Sequence, residues 1–422
     1  MASSPNDFGA QSLADNEVAA GKARPNWVVV NAVVLVALAI YVLYYSTAFR
    51  FDTLFAVEPR QVDFRMWYLF PQLIFQNMHY PAVVSGDWAT NFPYLPSAVA
   101  MMLSLSVFPQ AVSFGVWIVL QAAAFAIVLW AGLGLSGARG RPDQLLIAAV
   151  AVFLADSALG WDFRNHNNNL IYLALVMLGL TARPAWLSGL LFAVSLNLKL
   201  YSGLLFAGFV WRREYRLAAA MVAGSIVVGV VFPVLVFGPG GYLQLMHDWA
   251  MQVQYTFSPT VQATAPTTLL RSVAAFLGAA PASTEVTVTL RALQAGWIAV
   301  LVVYFAVAGR TELQTPTARN QARLADVVVL LMAPLPLSTW FLPYHAVVML
   351  PAWLLVVTIA ADKEWPRWIR LAAVAVMVAS QILRFGIHDW NYRGAMYFMS
   401  FVLLTAVLSS VRYTLAHERG AA

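Results

Sequence analysis

Long apolar segments separated by short polar ones follow one another along almost the whole chain. A helix needs about 20 apolar residues to cross a bilayer. The pattern therefore predicts an all-α polytopic membrane protein, a bundle of about 12–13 transmembrane helices. The predicted spans are residues 27–48, 112–135, 144–159, 170–180, 186–211, 217–237, 286–308, 327–340, 345–361, 371–384 and 393–411, with 93–108 as a further apolar segment.

Two of these segments are irregular. Residues 93–108 are short and bracketed by prolines, which favours a re-entrant segment and twelve spans rather than thirteen. Residues 186–211 are interrupted by Asn197 and Lys199, which suggests two short helices forming a hairpin.

Basic residues gather in the short loops between spans, which places those loops on the cytoplasmic side. The remaining polar segments then lie on the outer face: 49–92, 160–169, 238–285, 340–345 and 387–392. Aromatic residues at helical spacing predict interfacial amphipathic helices inside the two longest, over 64–79 and 242–257. The predicted organisation is a disordered cytoplasmic tail (1–26), a single transmembrane domain (27–412) and a second cytoplasmic tail (413–422).

Composition narrows the class of protein. The chain is 61% hydrophobic and 10% charged, far from a soluble domain, and its net charge of +6 is explained by the basic loops. No basic run interleaved with aromatics indicates nucleic acid. The absence of cysteine excludes disulfides and thiolate chemistry. The scattered histidines form no metal-ligand pair on one helix, and no phosphate-cradling loop indicates a nucleotide, so we expect no metal and no cofactor.

Asp63 is the candidate general base. It follows the first span, in a segment rich in aromatic residues that also contains Tyr68 and His79. A partly desolvated carboxylate has a raised pKa and can take a proton from a hydroxyl. The equally open alternative is a solvated acid paired with Arg65.

Lys199 is the least expected residue in its surroundings. A lysine within apolar helix costs roughly 2.5–3.5 kcal/mol at mid-bilayer, so intramembrane cations are candidates for function. We interpret it as a partner for a lipid phosphate, the alternative being a side chain that snorkels to the interface.

Three further polar groups complete the candidate set. His166, Asn167 and Asn168 supply the donors and acceptors that sugar hydroxyls need, although amides also cap helix ends. The segment 340–345 adds Trp340, Tyr344 and His345, which an interfacial aromatic belt would also explain. Arg384 lies near the end of a later span and is a second candidate for phosphate.

Several short motifs, in order along the chain, resemble the membrane-embedded glycosyltransferases of the GT-C type, and most closely family 87. The family has an Asp-Phe followed by aromatics after the first span, a Tyr-Pro-Pro stretch, a Gly-Gln-x-Asn, a lysine in a short hairpin and a late Ser-x-x-Trp…His-Tyr element. The corresponding residues here are Asp63, Phe64, Trp67 and Tyr68; Tyr94, Leu95 and Pro96; His166 to Asn169; Lys199; and Ser338, Trp340, Tyr344 and His345.

The resemblance implies a GT-C-like bundle that transfers one sugar, mannose or arabinofuranose-like, from a polyprenyl-phosphate donor to a hydroxyl acceptor with inversion. Asp63 would deprotonate the acceptor, a glycolipid or glycan, on the extracytoplasmic face of the cell membrane. Lys199 and Arg384 would stabilise the leaving phosphate, and the remaining candidates would bind substrate: Tyr68, His79, Tyr94, His166, Asn167, Asn168, Trp340, Tyr344 and His345.

Two other classes compete with this interpretation. Broken helices with a lysine inside the membrane are also typical of transporters and of lipid-linked-sugar flippases. Against this, the halves of the chain show no convincing internal repeat. A polymerase or ligase with a lipid-diphosphate donor would favour more arginines in the outer loops than Arg65, Arg164 and Arg271.

Overall fold

The computed structural model describes residues 26–47, 62–80, 94–256, 268–309, 313, 315–337, 343–387 and 389–417. Within them all regular structure is helical, which confirms the predicted all-α polytopic class. Apart from Asn26, the predicted N-terminal tail lies outside the described residues. The last helix continues to His417, five residues into the predicted C-terminal tail.

The described helices, in chain order, are α1 (Trp27–Thr47), α2 (Val62–Asn77), α3 (Pro96–Met102), α4 (Gln110–Ser136), α5 (Gln144–Asn165), α6 (Asn169–Thr181), α7 (Ala185–Leu198), α8 (Leu204–Trp211), α9 (Tyr215–Ile226), α10 (Phe232–Thr256), α11 (Leu269–Leu277), α12 (Thr284–Ala308), α13 (Pro316–Met332), α14 (Met349–Ala361), α15 (Arg367–Gly386) and α16 (Arg393–His417).

Seven continuous helical segments among the described residues are long and apolar enough to cross a membrane: 27–45, 110–136, 144–165, 215–254, 284–308, 367–386 and 393–417. Four shorter apolar helical segments accompany them: 169–181, 185–198, 200–211 and 345–361. The long helices alone therefore do not reach the predicted twelve to thirteen spans. Helix α3 has only seven residues, about 10 Å at 1.5 Å per residue, and cannot cross.

Two predicted boundaries are wrong. Residues 160–165, expected in a polar outer loop, continue α5, so Asp162 and Arg164 are helical. Most of the basic stretch 310–323, between the predicted spans 286–308 and 327–340, belongs to α13, which begins at Pro316 after its N-cap residue Thr315. In both places the helix contains polar side chains that pair inside the protein. A hydropathy pattern assigns such residues to a loop.

Segment 215–254 is continuous but bent. A π-helical turn at Val227–Val231 joins α9 to α10, and the backbone breaks at Gly238, with φ 72° and ψ 162°. Only glycine adopts that conformation readily, and Pro239 follows it. The break lies where the apolar pattern predicts the end of a span.

Helices α7 and α8 form the predicted hairpin. They are separated at Lys199, whose backbone is extended (φ −146°, ψ 113°), and by a 3-10 turn at Leu200–Gly203. Arg183, before the hairpin, and Arg213, after it, line the same cavity. The chain therefore enters and leaves on one side, and Lys199 lies at the tip.

A buried ion network joins the helices at that same side. The carboxylate of Asp326 on α13 accepts hydrogen bonds from Arg412 (Nε, 2.9 Å), Arg212 and Tyr304 (Oη, 2.7 Å). Glu214 adds a bridge between Arg212 (3.0 Å) and Arg323 (2.9 Å). We call this side the basic end, and the opposite side, where α5 ends, the site end.

Apolar side chains also cover much of the outer surface. On α1, Val28 is 79% exposed and Val33 63%, and α10 and α15 show similar residues. Contiguous apolar surface of this kind is not tolerated in water, and it fits helices that face lipid.

Candidate active site

Helix α2 carries the candidate base, Asp63, and packs against the bundle through one buried face. Phe64, Trp67 and Ile74 are fully buried on it, and their successive spacings of three and seven residues are close to one and two helical turns. The Trp67 ring lies 4.0 Å from that of Tyr94, and the Phe64 ring 5.0 Å from that of Phe114 on α4. These contacts hold the first turn of α2, and with it Asp63, against the bundle.

Asp63 is 7% exposed. Its Oδ2 accepts a hydrogen bond from Asn167 Nδ2 at 2.9 Å. Helix α2 is not among the segments that can span a membrane. Burial raises the pKa of Asp63 from 3.8 to about 6, although the Asn167 bond and the charge of Lys199 both lower it. Near neutral pH this carboxylate is ionised and more basic than an ordinary aspartate, which suits a proton acceptor.

The amide of Asn167 is aimed by a rigid turn after α5. His166 adopts a left-handed conformation (φ 51°, ψ 42°) and ends the helix. Two side chains of α4 fix that turn: Trp117 Nε1 donates to the His166 carbonyl and Gln121 Nε2 to the Asn167 carbonyl, each at 2.8 Å. Neither Trp117 nor Gln121 was among the predicted residues, yet they orient the group that holds Asp63.

His166 itself is buried in this turn. Its Nδ1 lies 3.2 Å from Gln121 Oε1, and its ring meets Phe114 edge-on at 4.6 Å. Burial lowers the pKa of His166 to about 4, so the ring is neutral near pH 7. Its contacts make it a positioning residue for Asn167.

A second buried acid, Asp162, is not among the predicted site residues. Its Oδ1 accepts from Asn169 Nδ2 at 2.8 Å, and the Leu170 backbone N–H also donates to the carboxylate. The carboxylate therefore accepts hydrogen bonds from the first turn of α6, where a negative charge is favourable. It also interacts electrostatically with both Asp63 and Lys199.

Lys199 is buried (8% exposed) at the hairpin tip, beside both acids. Its Nζ donates to Tyr94 Oη at 3.3 Å and lies 5.2 Å from the Tyr94 ring centroid. Its charge acts on Asp63 and Asp162, but no direct ion pair with either forms within the described residues. The ammonium is therefore held near the carboxylates without being neutralised by contact.

Helix α3 is tied to the hairpin. Ser97 Oγ donates to Asn197 Oδ1 at 2.6 Å, and Asn197 Nδ2 donates in turn to the Ala193 carbonyl at 2.8 Å. This bond places Tyr94, just before α3, over Lys199. Asn197 interrupts the apolar pattern of the hairpin, and these two hydrogen bonds give it a structural role there.

His345 joins the cluster from the other side. It is buried, its ring meets that of Tyr201 edge-on at 5.7 Å, and it lies within the electrostatic range of Lys199. Tyr201, next to the hairpin tip, was not predicted. Trp340 lies outside the described residues, and so does the side chain of Tyr344.

Three predicted residues are placed elsewhere. Tyr68 Oη donates to the Phe108 carbonyl at 2.9 Å and fastens α2 to the turn before α4. His79 is exposed and lies 2.9 Å from the Asp248 carboxylate on α10. Arg384 pairs with Asp156 and lines a separate cavity.

Buried polar atoms in the cluster remain available for a ligand. Among the described residues, Asp162 Oδ2, Asn169 Oδ1 and both side-chain polar atoms of Asn168 are buried without a hydrogen-bond partner. Buried polar groups are normally paired, so an unpaired group indicates strain or a ligand. This set of acceptors and one amide donor suits hydroxyl groups. No three described His, Asp or Glu side chains lie close enough together to hold a metal ion.

Comparison with known proteins gives one match. The model of glycosyltransferase family 87 matches residues 92–334, more than half of the chain. The matched range contains Tyr94, Asp162, His166, Asn167 and Lys199, whereas Asp63 and His345 lie outside it. Neither the curated proteins nor the solved structures gave a match.

Proposed function

The chain belongs to glycosyltransferase family 87, and from this membership we propose that it transfers a single sugar from a polyprenyl-phosphate donor to a hydroxyl acceptor at the site end. Membership makes the protein a membrane glycosyltransferase, which favours the transferase interpretation over a transporter. The donor, the acceptor and the residue roles below are our proposal.

One observation carries the proposal. The buried carboxylate of Asp63, which accepts a hydrogen bond from Asn167, lies in one cluster with the buried ammonium of Lys199. Burying two ionisable groups costs several kcal/mol each. Ionisable groups that are buried despite this cost are candidates for function. In a glycosyltransferase we assign proton transfer to the carboxylate and phosphate binding to the ammonium.

In the proposed step Asp63 accepts the proton of the acceptor hydroxyl. The hydroxyl oxygen forms a bond to the anomeric carbon as the bond from that carbon to the phosphate oxygen breaks. The electron pair leaves with the polyprenyl phosphate, whose growing negative charge faces Lys199. Because attack and departure occur on opposite faces of the sugar, the anomeric configuration inverts.

The surrounding residues have supporting roles in this scheme. His166, with Trp117 and Gln121, positions Asn167. Asn168, Asp162 and Asn169 present the buried acceptors and donor that would bind sugar hydroxyls. Tyr94 covers Lys199 and limits access of water to the phosphate. The site end is proposed to face the extracytoplasmic side, because the basic loops gather at the other end.

The substrate class is tested by assaying the purified protein in proteoliposomes with three radiolabelled donors: a polyprenyl-phosphate sugar, a polyprenyl-diphosphate sugar and a nucleotide sugar. Mannosyl and arabinofuranosyl forms of the first are compared. We expect transfer from a polyprenyl monophosphate only, with inversion seen by NMR of the product. Turnover of nucleotide sugars, or retention of configuration, would refute the proposed mechanism.

A further inference from the structure

An open cavity of about 450 Å³ lies at the basic end of the bundle, where Glu214 and Arg323 line it. Its volume is in the range of ligand pockets, about 300–1,000 Å³. Ala185, at the start of α7, also lines it, whereas Lys199 follows the end of that helix. At 1.5 Å per residue the two are roughly 20 Å apart. The cavity is therefore separate from the proposed active site.

The lining of this cavity carries a large positive charge. Its charged members are four arginines and one glutamate: Arg183, Arg213, Arg216, Arg323 and Glu214. The formal charge of the lining is therefore +3. Glu214 already pairs with Arg323 at 2.9 Å and with Arg212 at 3.0 Å. The side chains of Arg183, Arg213 and Arg216 form no hydrogen bond or ion pair with any residue that the structure describes. Three guanidinium groups are thus available to an anion.

The backbone of Arg213 gives a second indication of a site. Arg213 is left-handed (φ 60°) and ends α8. Its N–H donates to the Val210 carbonyl at 3.0 Å, and the N–H of Glu214 donates to the Phe209 carbonyl at 2.8 Å. Glycine is the usual residue at this position of such a helix end, because a Cβ is unfavourable there. The backbone therefore does not explain the arginine, whereas a role for its side chain in the cavity does.

Close packing holds the lining helices in place. Gly189 on α7 leaves no room for a Cβ against the backbone of Ala220 on α9. Ser188, which lines the cavity, donates through Oγ to the Ala182 carbonyl at 3.2 Å. These contacts involve protein groups alone, so the walls are formed before any ligand binds.

The cavity also lies at a membrane boundary. The apolar helical segment 169–181 ends and 185–198 begins on either side of Arg183, and 200–211 ends and 215–254 begins on either side of Arg213. Lipid headgroups lie at the level where the apolar part of a span ends. Trp186 and Tyr215 are exposed by 66% and 61% at this level, and exposed Trp and Tyr are typical of the membrane interface.

An exposed apolar stripe runs from the cavity along α9. Its members follow one another at four, three and four residues, which places them on one face of the helix: Tyr215, Ala219, Val222 and Ile226. All four are exposed, Val222 by 44% and Ile226 by 53%. Because α9 begins at the basic end, the stripe leads from the arginines toward the membrane interior. A free anion makes no use of such a surface, whereas acyl chains lie along it.

We propose that this cavity binds the headgroup of an anionic phospholipid from the leaflet at the basic end, with the acyl chains along the stripe from Tyr215 to Ile226. Arg183, Arg213 and Arg216 would donate to the phosphate, since guanidinium groups bind phosphate through paired hydrogen bonds. The proposal does not depend on the transferase mechanism, because it concerns binding at another site.

The test is lipid retention by native mass spectrometry of the detergent-purified full chain, titrated with phosphatidylglycerol. The test variant is R183Q/R216Q, and the matched control is R319Q/R367Q, which removes two exposed arginines outside the cavity lining. We expect the test variant to bind at least about tenfold more weakly, the loss of one or more charge-assisted contacts. The control should bind as wild type does.

A second variant separates loss of the site from loss of the fold. R213G removes a guanidinium at a position where glycine suits the backbone. We expect its thermal midpoint to equal or exceed that of wild type while phosphatidylglycerol binds about tenfold more weakly. Wild-type affinity in R183Q/R216Q or in R213G would overturn the proposal, as would an equal loss of affinity in the control.

Further probes identify the ligand. Diacylglycerol with the same acyl chains should not be retained, and phosphatidylcholine should bind more weakly than phosphatidylglycerol, because its headgroup is neutral overall. Retention of either as strong as that of phosphatidylglycerol would contradict a site for anionic headgroups. Full displacement of the lipid by millimolar inorganic phosphate would also overturn the proposal, since the cavity would then be a site for the free ion.

Discussion

At the scale of single residues, Asp63 has a carboxylate whose burial affects both proton transfer and stability. Its pKa is raised to about 6, so protonation should remove the proposed base below that pH. We expect the rate of sugar transfer to fall about tenfold per pH unit below pH 6 and to level off above it. A rate that is flat from pH 4.5 to 8 would be incompatible with Asp63 as the base.

The same shift predicts an effect on folding. Since the pKa in the folded state lies above the ordinary value of 3.8, stability is lost as the pH rises through about 6. The shift corresponds to about 3 kcal/mol. Asp63→Asn should therefore raise the thermal midpoint at pH 7.5 and leave it nearly unchanged at pH 4. A lower midpoint at pH 7.5 would show that the ionised carboxylate stabilises the fold.

Asn167 tunes this acid through one hydrogen bond. Asn167→Leu, close in volume, removes the donor, and the pKa of Asp63 should then rise. We expect the acidic limb of the pH–rate profile to move to higher pH and the plateau rate to fall 10- to 100-fold. A merely structural role would lower the rate without moving the profile. Arg65→Gln, a change of charge on the same helix, is the matched control.

How far single residues can be predicted depends on their neighbours in sequence. Lys199 interrupts an apolar stretch and Asp63 precedes an aromatic one, so the cost of burying them is visible in the sequence, whereas Asn167 lies in a polar run and carries no such signal. Gln121 gives the same signal as Lys199, since it is the one amide in the interior of the apolar helix α4. The positive charge of Arg384 suggests a role like that of Lys199, but the sequence does not show that Arg384 pairs with Asp156 on α5.

At the scale of elements, the α7–α8 hairpin brings Lys199 to the site. Lys199→Met should raise the Kd for the donor about tenfold and lower kcat by roughly 10²–10³, the effect of removing one group that stabilises transition-state charge. Donor binding by fluorescence and transfer rates measure the two effects separately. Unchanged donor affinity would mean that the ammonium only snorkels.

The hairpin was predictable because two polar residues break one apolar segment. The extent of α5 and α13 was not, since Asp162, Arg164 and Arg323 look like loop residues until their partners are known. Asp162 Oδ1 accepts a hydrogen bond from Asn169 on the following helix, and Arg323 pairs with Glu214. Pairing with other helices, rather than hydropathy, explains why these charged residues lie within helices.

At the scale of the whole molecule, the two ends of the bundle carry different polar clusters: the Asp326 ion network at the basic end and the proposed active site at the site end. The basic end is closed by the Asp326 network, which sequence alone does not reveal because its members are far apart. Asp326→Ala would leave buried Arg412 without its carboxylate, a loss of about 3–5 kcal/mol. We expect a lower thermal midpoint with an unchanged rate per folded molecule, whereas exposed Glu364→Gln should change neither. An unaffected midpoint would argue against a structural role.

The two ends of the bundle are proposed to face opposite sides of the membrane, which cysteine labelling can test. The chain has no cysteine, so single-cysteine variants report one position each. We expect Asp389→Cys, at the site end, to react in intact cells with a membrane-impermeant maleimide, and Arg183→Cys only after permeabilisation. The reverse pattern would turn the proposed active site toward the cytoplasm.

The central claim, that Asp63 takes the acceptor proton in a family 87 transferase, is tested most directly by single-turnover transfer with Asp63→Asn. Donor binding is measured on the same preparation. We predict donor affinity within about threefold of wild type and a transfer rate about 10²–10⁴-fold lower, the usual contribution of a general base. Transfer at near the wild-type rate by a variant that still binds donor would contradict it.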